Sequence, residues 1–216
     1  AAPGVHERAL KELSDVVPRG ASVLDLVAGG GAMSQRLADA GYAVSGCDLF
    51  EENFTPAGRI PFVEADLNAG FSTAIGGEWD AVVALEIVEH LENPRHVLRE
   101  CAALLKKGGV LVMSTPNIAN PVSQSMFVRA GHHQWFGDQD YREQGHIMPL
   151  SPLVLRRCFL EQSYEMIAEC TVANPFRQMR SLRKLGFRLL GHAFSLVSGT
   201  PRALRGEVYL SVWRRG

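Results

Sequence analysis

The stretch Val23-Leu-Asp-Leu-Val-Ala-Gly-Gly-Gly-Ala-Met33 decides the fold of this chain. Its apolar first half predicts a buried strand over 22–27, and the residues after it predict a helix over 32–40. The two elements are joined by the consecutive glycines 29–31. Glycines between a strand and a helix let the backbone approach a ligand closely. The stretch therefore predicts a nucleotide-binding strand–turn–helix unit.

Strand and helix patterns continue to alternate along the chain. Short apolar runs predict strands over 43–48, 60–67, 79–85, 110–114, 164–172 and 207–213, and helical spacing predicts helices over 6–17, 94–105 and 151–162. Such alternation is typical of right-handed βαβ units. We therefore expect a single α/β domain over 1–216. Its Rossmann-like, seven-stranded, mostly parallel sheet would carry helices on both faces and a C-terminal antiparallel hairpin.

The charge balance excludes some classes of protein and hides a local asymmetry. The 216 residues include 22 Lys and Arg against 23 Asp and Glu, a net charge of -1. This balance excludes a uniformly basic nucleic-acid binder, and the 46% of hydrophobic residues exclude a disordered chain. The segment 174–205 has seven basic residues and no acidic one, so it carries +7 and the rest of the chain -8. A basic insertion is therefore expected on an acidic body.

Cysteine usage and the first residues indicate a cytoplasmic protein. The four cysteines stand far apart and form no C-x-x-C pair; they are Cys47, Cys101, Cys158 and Cys170. We expect reduced thiols rather than a disulfide framework or a cysteine zinc site. Residues 1–7 do not resemble a signal peptide. The expected location is the cytoplasm, and contact with a membrane surface through the basic segment stays open.

Further motifs follow the glycine turn in a fixed order. Asp48 ends the second predicted strand, 19 positions after the first glycine of the turn, where a carboxylate accepts hydrogen bonds from ribose hydroxyls. Asp66 follows near the end of the third strand. Trp79-Asp-Ala-Val-Val83 begins the fourth strand, and Leu104-Leu-Lys-Lys-Gly-Gly-Val-Leu-Val112 leads into the fifth. In this order and spacing, the motifs resemble the class I S-adenosylmethionine-dependent methyltransferases.

The resemblance implies a cofactor, S-adenosyl-L-methionine, and a role for each matching residue. The methionine part would lie on Asp25, Gly29, Gly30 and Gly31, the ribose on Asp48, the adenine edge on Asp66 and Leu67, and the sulfonium end near Leu85 and Glu86. A nicotinamide oxidoreductase is disfavoured, because the turn lacks the third glycine of G-x-G-x-x-G. The chain departs from the family at Val27, where a glycine is usual. Either Val27 continues the strand and Gly29 takes over the turn, or the cofactor pocket is weakened.

A second motif, Leu85-Glu-Ile-Val-Glu-His-Leu91, follows the fourth predicted strand. If it begins a helix, Glu86, Glu89 and His90 share one face. With His146 as a fourth ligand, these side chains suit a divalent cation such as Mg²⁺ or Zn²⁺. The motif resembles the ubiquinone-pathway O-methyltransferases and the small-RNA 2′-O-methyltransferases. His146 and Glu89 are the candidate catalytic residues, and His146 as a general base without metal stays open.

Two regions are candidates for the acceptor side. The segment 118–150, rich in Gly, His, Asp and aromatic residues, predicts a loop or lid with short helices. The segment 174–205 predicts a basic amphipathic helix, with Arg177, Arg180, Lys184 and Arg188 on one face. Such a helix suits an anionic membrane surface, a phosphate-bearing acceptor or RNA, and it also suits simple solvation of its charged face. RNA is the weaker option and no DNA partner is expected.

The residues together predict methyl transfer to a hydroxyl of a small-molecule or lipid-linked acceptor. Three alternatives stay open. They are an RNA 2′-O-methyltransferase, a C- or N-methyltransferase that needs no cation, and a non-catalytic member of the fold that binds a partner. The sequence does not choose among acceptors, because acceptor specificity resides in loops and fold does not fix chemistry.

Overall fold

The computed structural model describes residues 1–177 and 185–216, and the strands in these ranges form one sheet. They are β1 (Ser22–Leu26), β2 (Ala43–Asp48), β3 (Phe62–Glu64), β4 (Trp79–Leu85), β5 (Leu105–Pro116), β6 (Tyr164–Val172) and β7 (Val208–Arg215). Their order is β3-β2-β1-β4-β5-β7-β6. The strands β1 to β5 pair in parallel, whereas β7 is antiparallel to both β5 and β6. The predicted fold class is confirmed.

Helices connect the strands and cover the sheet. They are α1 (Val5–Ser14), α2 (Ala32–Asp39), α3 (Phe71–Ile75), α4 (Pro94–Leu104), α5 (Pro121–Ala130), α6 (Asp138–Gln144), α7 (Pro152–Glu161) and α8 (Leu185–Val197). Three of them begin with a polar cap and a proline. The side chains of Asn93, Asn120 and Ser151 each accept a hydrogen bond from a backbone N–H of the first turn. Proline follows at a position whose N–H has no helical partner.

The central strands are buried on both faces, which explains their continuous apolar sequence. In β1, Leu24 and Leu26 pack into one core cluster and Val23 into the other. On the first side, Phe159 stacks on Trp213 with ring centroids 4.2 Å apart. Because β1, β2, β4 and β5 run in parallel, their carboxyl ends lie along one edge of the sheet. A binding site is expected at this edge.

Several predicted boundaries are wrong. The strand predicted over 60–67 is limited to Phe62–Glu64, because its last paired residue, Glu64, lies opposite Asp48, where β2 ends. The helix predicted over 6–17 ends at Ser14. β5 begins at Leu105 rather than 110, since Leu105 already pairs with Trp79 of β4. The glycines and lysines expected to end α4 thus belong to a strand.

The two acceptor-side segments contain helices. The segment 118–150 includes α5 and α6, and the basic segment 174–205 includes α8. The predictions for Arg180 and Lys184 lie outside the described residues. Within the described part of the chain, none of the helices combines the length and the apolar character that crossing a membrane requires.

Candidate active site

The carboxyl end of β1 places a buried acid beside the glycine turn. Asp25 is 2% exposed, and its carboxylate accepts a 2.5 Å hydrogen bond from Ser34 Oγ at the start of α2. Burial raises the pKa of Asp25 to about 6, because the charged form loses its hydration. The Ser34 hydroxyl opposes this shift only in part. Asp25 therefore ties the strand to the helix that follows the turn.

Val27 does not continue the strand, so that alternative is wrong. Its φ is 72°, in the left-handed region that favours glycine, although Val27 is β-branched. The N–H groups of Val27 and Ala28 both donate to the carbonyl of Cys47, at 2.8 and 2.9 Å, which holds this conformation. For an L-residue, the left-handed conformation costs about 1–2 kcal/mol. The chain therefore turns at Val27 with a strained backbone conformation.

The backbone of the glycine turn beyond Val27 has free space around it and lies beside the carboxylate of Asp48. A Cβ built on Gly29 would have no heavy atom within 4 Å, and one on Gly30 would have only the carbonyl of Asn53, at 3.8 Å. The carboxylate of the half-buried Asp48 accepts hydrogen bonds from the N–H of Gly29 and of Leu49, at 2.8 and 2.7 Å. The open turn beside a fixed carboxylate fits a nucleoside with its ribose at Asp48. Gly31 differs, since a Cβ there would lie 2.3 Å from Pro56.

The other predicted cofactor residues lie along the same edge of the sheet. Asp66 follows β3 and is exposed, with one carboxylate oxygen accepting the N–H of Asn68 at 2.9 Å. Leu67 is buried in the core. Leu85 ends β4 opposite Ser114 of β5 and is half-buried. This edge therefore carries a polar rim with an apolar floor beneath it.

The segment after β4 is a tight turn, so Glu86 opens a loop and does not begin a helix. Glu86 has a φ of 50°, and its N–H donates to the backbone carbonyl and the hydroxyl of Ser114, each at 3.0 Å. A single 3₁₀ turn follows over Val88–His90. The carboxylate of Glu86 accepts the N–H of Ala2 at 3.0 Å. The side chains of 86–90 therefore converge through turn geometry instead of helical spacing.

Glu89 is the buried centre of this region. It is 0% exposed, and its Oε2 accepts a hydrogen bond from the Thr115 hydroxyl at 3.1 Å. Its Oε1 is buried without a hydrogen-bond partner. Burial raises the pKa of Glu89 to about 8, and the nearby negative charge of Glu86 adds to the effect. An unpaired buried carboxylate oxygen is costly, so Glu89 is poised to hold a proton or a cation.

The backbone of Glu89 brings a distant histidine to the site. Its carbonyl accepts the N–H groups of Ile147 and Met148, both at 2.9 Å, and this fixes the segment that carries His146. The rings of His90 and His146 meet edge to face, with centroids 4.7 Å apart. Burial and the neighbouring His146 lower the pKa of His90, so its imidazole is neutral at pH 7. One ligand atom each from Glu89, His90 and His146 lie within 4.8 Å of one another.

These residues line a cavity of about 280 Å³ together with side chains that the sequence did not single out as a site. The lining comprises Ala1, Ala2, Glu86, Glu89, His90, Pro116, Trp135, Gln144, His146, Arg177 and Glu207. Glu86 lines the cavity outside the three-ligand group. Arg177 lies in a turn and binds the buried Glu207 through two hydrogen bonds of 2.5 and 2.8 Å. The prediction that Arg177 lies on a basic helix face is therefore wrong.

Comparison with known families identifies the fold of this site. The family model of the methyltransferase domain matches residues 3–169. A ubiquinone biosynthesis O-methyltransferase of Bordetella avium is 37% identical over 113 residues, which cover 49% of this chain and 46% of that protein. The protein of the same name from Dinoroseobacter shibae is 30% identical over 176 residues, which cover 76% and 68%. The chain spans about half the length of several of the curated relatives it matches, including the Bordetella protein.

Solved structures share the whole architecture at low identity. A SAM-dependent methyltransferase from Archaeoglobus fulgidus has a TM-score of 0.61 and 20% identity, and the match covers 97% of this chain and 94% of that one. The N-methyltransferase NodS from Bradyrhizobium japonicum, solved with S-adenosyl-l-homocysteine, has a TM-score of 0.58 and 15% identity over 97% and 85%. At such identities, these similarities concern the fold alone.

Proposed function

Because this chain belongs to the class I S-adenosylmethionine-dependent methyltransferases, we propose that it methylates an acceptor hydroxyl in the cavity beside Glu89 and His146. The observation that carries the proposal is the juxtaposition of two unlike features on one edge of the sheet. One is the open glycine turn with Asp48, and the other is the cavity with the unpaired oxygen of Glu89. Methyl transfer needs a nucleoside cofactor and a proton acceptor side by side.

The cofactor residues act by binding and orientation. When bound, S-adenosylmethionine supplies an electrophilic methyl group on a positively charged sulfur. We assign the ribose to Asp48, the adenine edge to Asp66 and the backbone of Leu67, and the methionine part to Asp25 and the turn Gly29, Gly30 and Gly31. Leu85 and Glu86 border the sulfonium end, where the negative charge of Glu86 favours a cation.

The acceptor residues are proposed to hold a divalent cation. Glu89, His90 and His146 offer one carboxylate and two imidazoles within 4.8 Å, and Glu86 in the same cavity is a candidate fourth ligand. The neutral imidazole of His90 is a form that binds metals, and the unpaired Oε1 of Glu89 is the oxygen that a cation would take, with release of the proton that the raised pKa of Glu89 favours. A bound cation of this kind lowers the pKa of a hydroxyl. Without a cation, His146 is the candidate proton acceptor at neutral pH, and Glu89, whose pKa is raised to about 8, is a candidate acceptor once it is ionised at alkaline pH.

Calorimetric titration with S-adenosylhomocysteine tests the cofactor assignment. We expect binding to the wild type and a loss of about 10- to 100-fold in affinity for Asp48→Ala, because a charged hydrogen-bond acceptor is removed. Asp39→Ala, an exposed acid on α2, is the matched control and should bind as the wild type does. If the wild type shows neither heat of binding nor a shift in its melting temperature at millimolar S-adenosylhomocysteine, the proposal is contradicted.

Electron paramagnetic resonance of Mn²⁺ tests the cation separately from activity. Bound Mn²⁺ should broaden and deplete the signal of the free ion in the wild type, and His90→Gln should restore that signal. His96→Gln is the control, because His96 lies on α4 outside the site and its Nε2 is hydrogen-bonded to the carbonyl of Ala69. No binding by the wild type, together with methylation that EDTA does not change, would instead favour His146 as a metal-free base.

A specific surface favours a lipid-linked acceptor at a membrane. Large apolar side chains are exposed on α5 and α8, namely Phe127, Val128, Leu189, Leu196 and Val197. Arg129 and Arg188 belong to the same two helices, and the whole segment 174–205 lacks acidic residues. Exposed apolar residues beside basic ones fit an anionic bilayer surface. We therefore propose peripheral membrane contact on the cytoplasmic side through this surface.

Vesicle co-sedimentation tests the membrane contact. Vesicles rich in phosphatidylglycerol should bind the protein more than vesicles of phosphatidylcholine, and Leu196→Gln should weaken binding because Leu196 is 88% exposed. Leu160→Gln, on the separate helix α7, is the matched control. Equal binding to both vesicles, or no binding, would contradict this contact, and strongly salt-dependent binding to RNA would favour the RNA alternative.

A further inference from the structure

Trp135 combines three features that the proposed reaction does not by itself require. Its backbone φ is 70°, its carbonyl oxygen accepts the Nδ1–H of His146 at 2.7 Å, and its indole Nε1 donates to Glu207 Oε1 at 3.1 Å. It also lines the cavity. One residue thus connects the candidate base and metal ligand to a buried carboxylate on another element.

The hydrogen bond from His146 sets the form of its imidazole. A backbone carbonyl only accepts, so Nδ1 of His146 carries the proton in the neutral ring. Nε2 is then left with a free lone pair. This is the arrangement that metal-binding histidines use, with the second nitrogen bonded to a carbonyl or carboxylate, and it also suits a general base. The direction of the Trp135 carbonyl therefore decides which atom of His146 serves the site.

That carbonyl direction is held against an unfavourable backbone conformation. A bulky side chain in the left-handed region persists only where its surroundings impose it. On one side, the preceding Gln134 is buried, and its side chain donates to the carbonyl of Pro175 at 3.3 Å. On the other side, the indole N–H is held by Glu207. Removing the indole N–H releases one of these two restraints.

Glu207 is well suited to be a fixed point. It is 0% exposed, its N–H donates to the carbonyl of Ala173 at 3.0 Å, and its own carbonyl accepts the N–H of Asn117 at 2.8 Å. Arg177 occupies both carboxylate oxygens and also lies over the Trp135 ring, 5.9 Å from its centroid. The carboxylate is therefore paired, as a buried charge must be.

We infer that Trp135, anchored by the Glu207–Arg177 pair, is a positioning residue that keeps His146 in the Nδ1–H tautomer with Nε2 free for the acceptor chemistry. The inference rests on the proposed function for the role of Nε2. The tautomer itself can be measured without any methyl transfer.

The test is long-range ¹H–¹⁵N NMR of histidine-labelled full chain, treated with EDTA, at an alkaline pH where imidazoles are neutral. The wild type should show His146 with a protonated Nδ1 and an unprotonated Nε2. Trp135→Phe should show a mixture of both tautomers, with kcat lowered about tenfold and KM for S-adenosylmethionine unchanged. Trp79→Phe is the matched control, since its indole donates to the carbonyl of Gly76 at a different site.

Each result either supports or overturns the inference. An Nε2–H tautomer in the wild type, an unchanged Nδ1–H tautomer in Trp135→Phe, or the same mixture in Trp79→Phe would overturn it. If Trp135→Phe does not fold, Glu207→Gln replaces it. In either orientation of the Gln amide, its NH2 group faces an N–H of Arg177, which weakens the anchor of the indole, so a partial mixture of tautomers is expected. A correct tautomer shift in a protein without methyl transfer would refute the proposed function alone.

Discussion

The cofactor side of the proposed site lies mostly on one stretch of chain, 25–48, whereas the acceptor side draws on segments as distant as Glu86 and Glu207. The cofactor side is formed mainly by backbone, in an open turn. The N–H groups of this turn are held by the carboxylate of Asp48 and by the carbonyl of Cys47. On the acceptor side, separate loops contribute side chains to one cavity. Local sequence therefore specifies the first, and tertiary packing specifies the second.

This difference has a consequence for mutation. A backbone site tolerates many side-chain changes but is sensitive to the geometry of its turn. A cavity built from converging side chains loses its chemistry when one of them is removed, while the fold and the cofactor turn are kept.

The largest effect is expected on the acceptor side, at Glu89. Glu89→Ala should lower kcat by about 10²- to 10⁴-fold, because it removes the candidate proton acceptor and cation ligand. Affinity for S-adenosylhomocysteine should change less than about threefold, since the cofactor turn is not touched. A radiolabelled methyl-transfer assay and calorimetry measure the two quantities.

Glu92→Ala is the control, because Glu92 is exposed on the same segment. It should match the wild type in both measurements. Equal losses of activity and cofactor affinity in Glu89→Ala would mean that the two sides are not separable as described.

A smaller effect, on stability, is expected at Asp25 on the cofactor side. Burial raises the pKa of folded Asp25 from 3.8 to about 6, so ionisation destabilises the folded state above about pH 6. The difference corresponds to about 3 kcal/mol as an upper bound. Asp25→Asn should therefore raise the free energy of unfolding at about pH 8. The gain should fade as the pH decreases from about 6 towards 4, where the native carboxyl is protonated.

Urea denaturation at several pH values measures this dependence. Asp15→Asn, at the exposed end of α1, is the control and should change stability by less than about 0.5 kcal/mol at every pH. A constant offset for Asp25→Asn across the pH range would contradict the assigned ionisation.

Much of the fold was predictable because its signals are local. β2, β4 and β6 were predicted to their end residues, since each is an apolar run bounded by turn residues. The N-cap at Ser151 also acts over a few residues, and the helix over 151–162 was predicted to begin there. The start of β5 was not predictable, because Leu105 to Gly109 have the composition of a helix stop. Only pairing with Trp79 makes this segment a strand.

The candidate site divides in the same way. The glycine turn with Asp25 and Asp48 was visible as a motif, and so were Glu89 and His90. The role of Glu207 was not, since it preceded a predicted strand and had no local motif. Arg177 belonged to a basic run that indicated a solvated helix. Their meeting with Trp135 depends on the contact between the segment after β6 and the start of β7.

The smallest effect is expected at Val27, where the cofactor turn carries strain. Val27→Gly relieves the cost of the left-handed backbone conformation, about 1–2 kcal/mol, and it loses the packing of a half-buried side chain. The two effects oppose each other, so the free energy of unfolding should stay within about 1 kcal/mol of the wild type. Affinity for S-adenosylhomocysteine should be equal or higher.

Val23→Gly, in the preceding strand β1 and fully buried, is the matched comparison and should cost about 2–4 kcal/mol. Thermal and urea denaturation measure both variants. A comparable loss in Val27→Gly would show that packing, and not backbone strain, dominates at this position.

A crystal structure with S-adenosylhomocysteine and Mn²⁺ tests most directly whether the two sides form one active site. We predict the ribose on Asp48, the sulfur facing the cavity beside Glu89 and His146, and an anomalous Mn²⁺ peak within coordination distance of Glu89, His90 and His146. A nucleoside bound away from Gly29 and Asp48, or a sulfur that faces away from the cavity, would contradict the account.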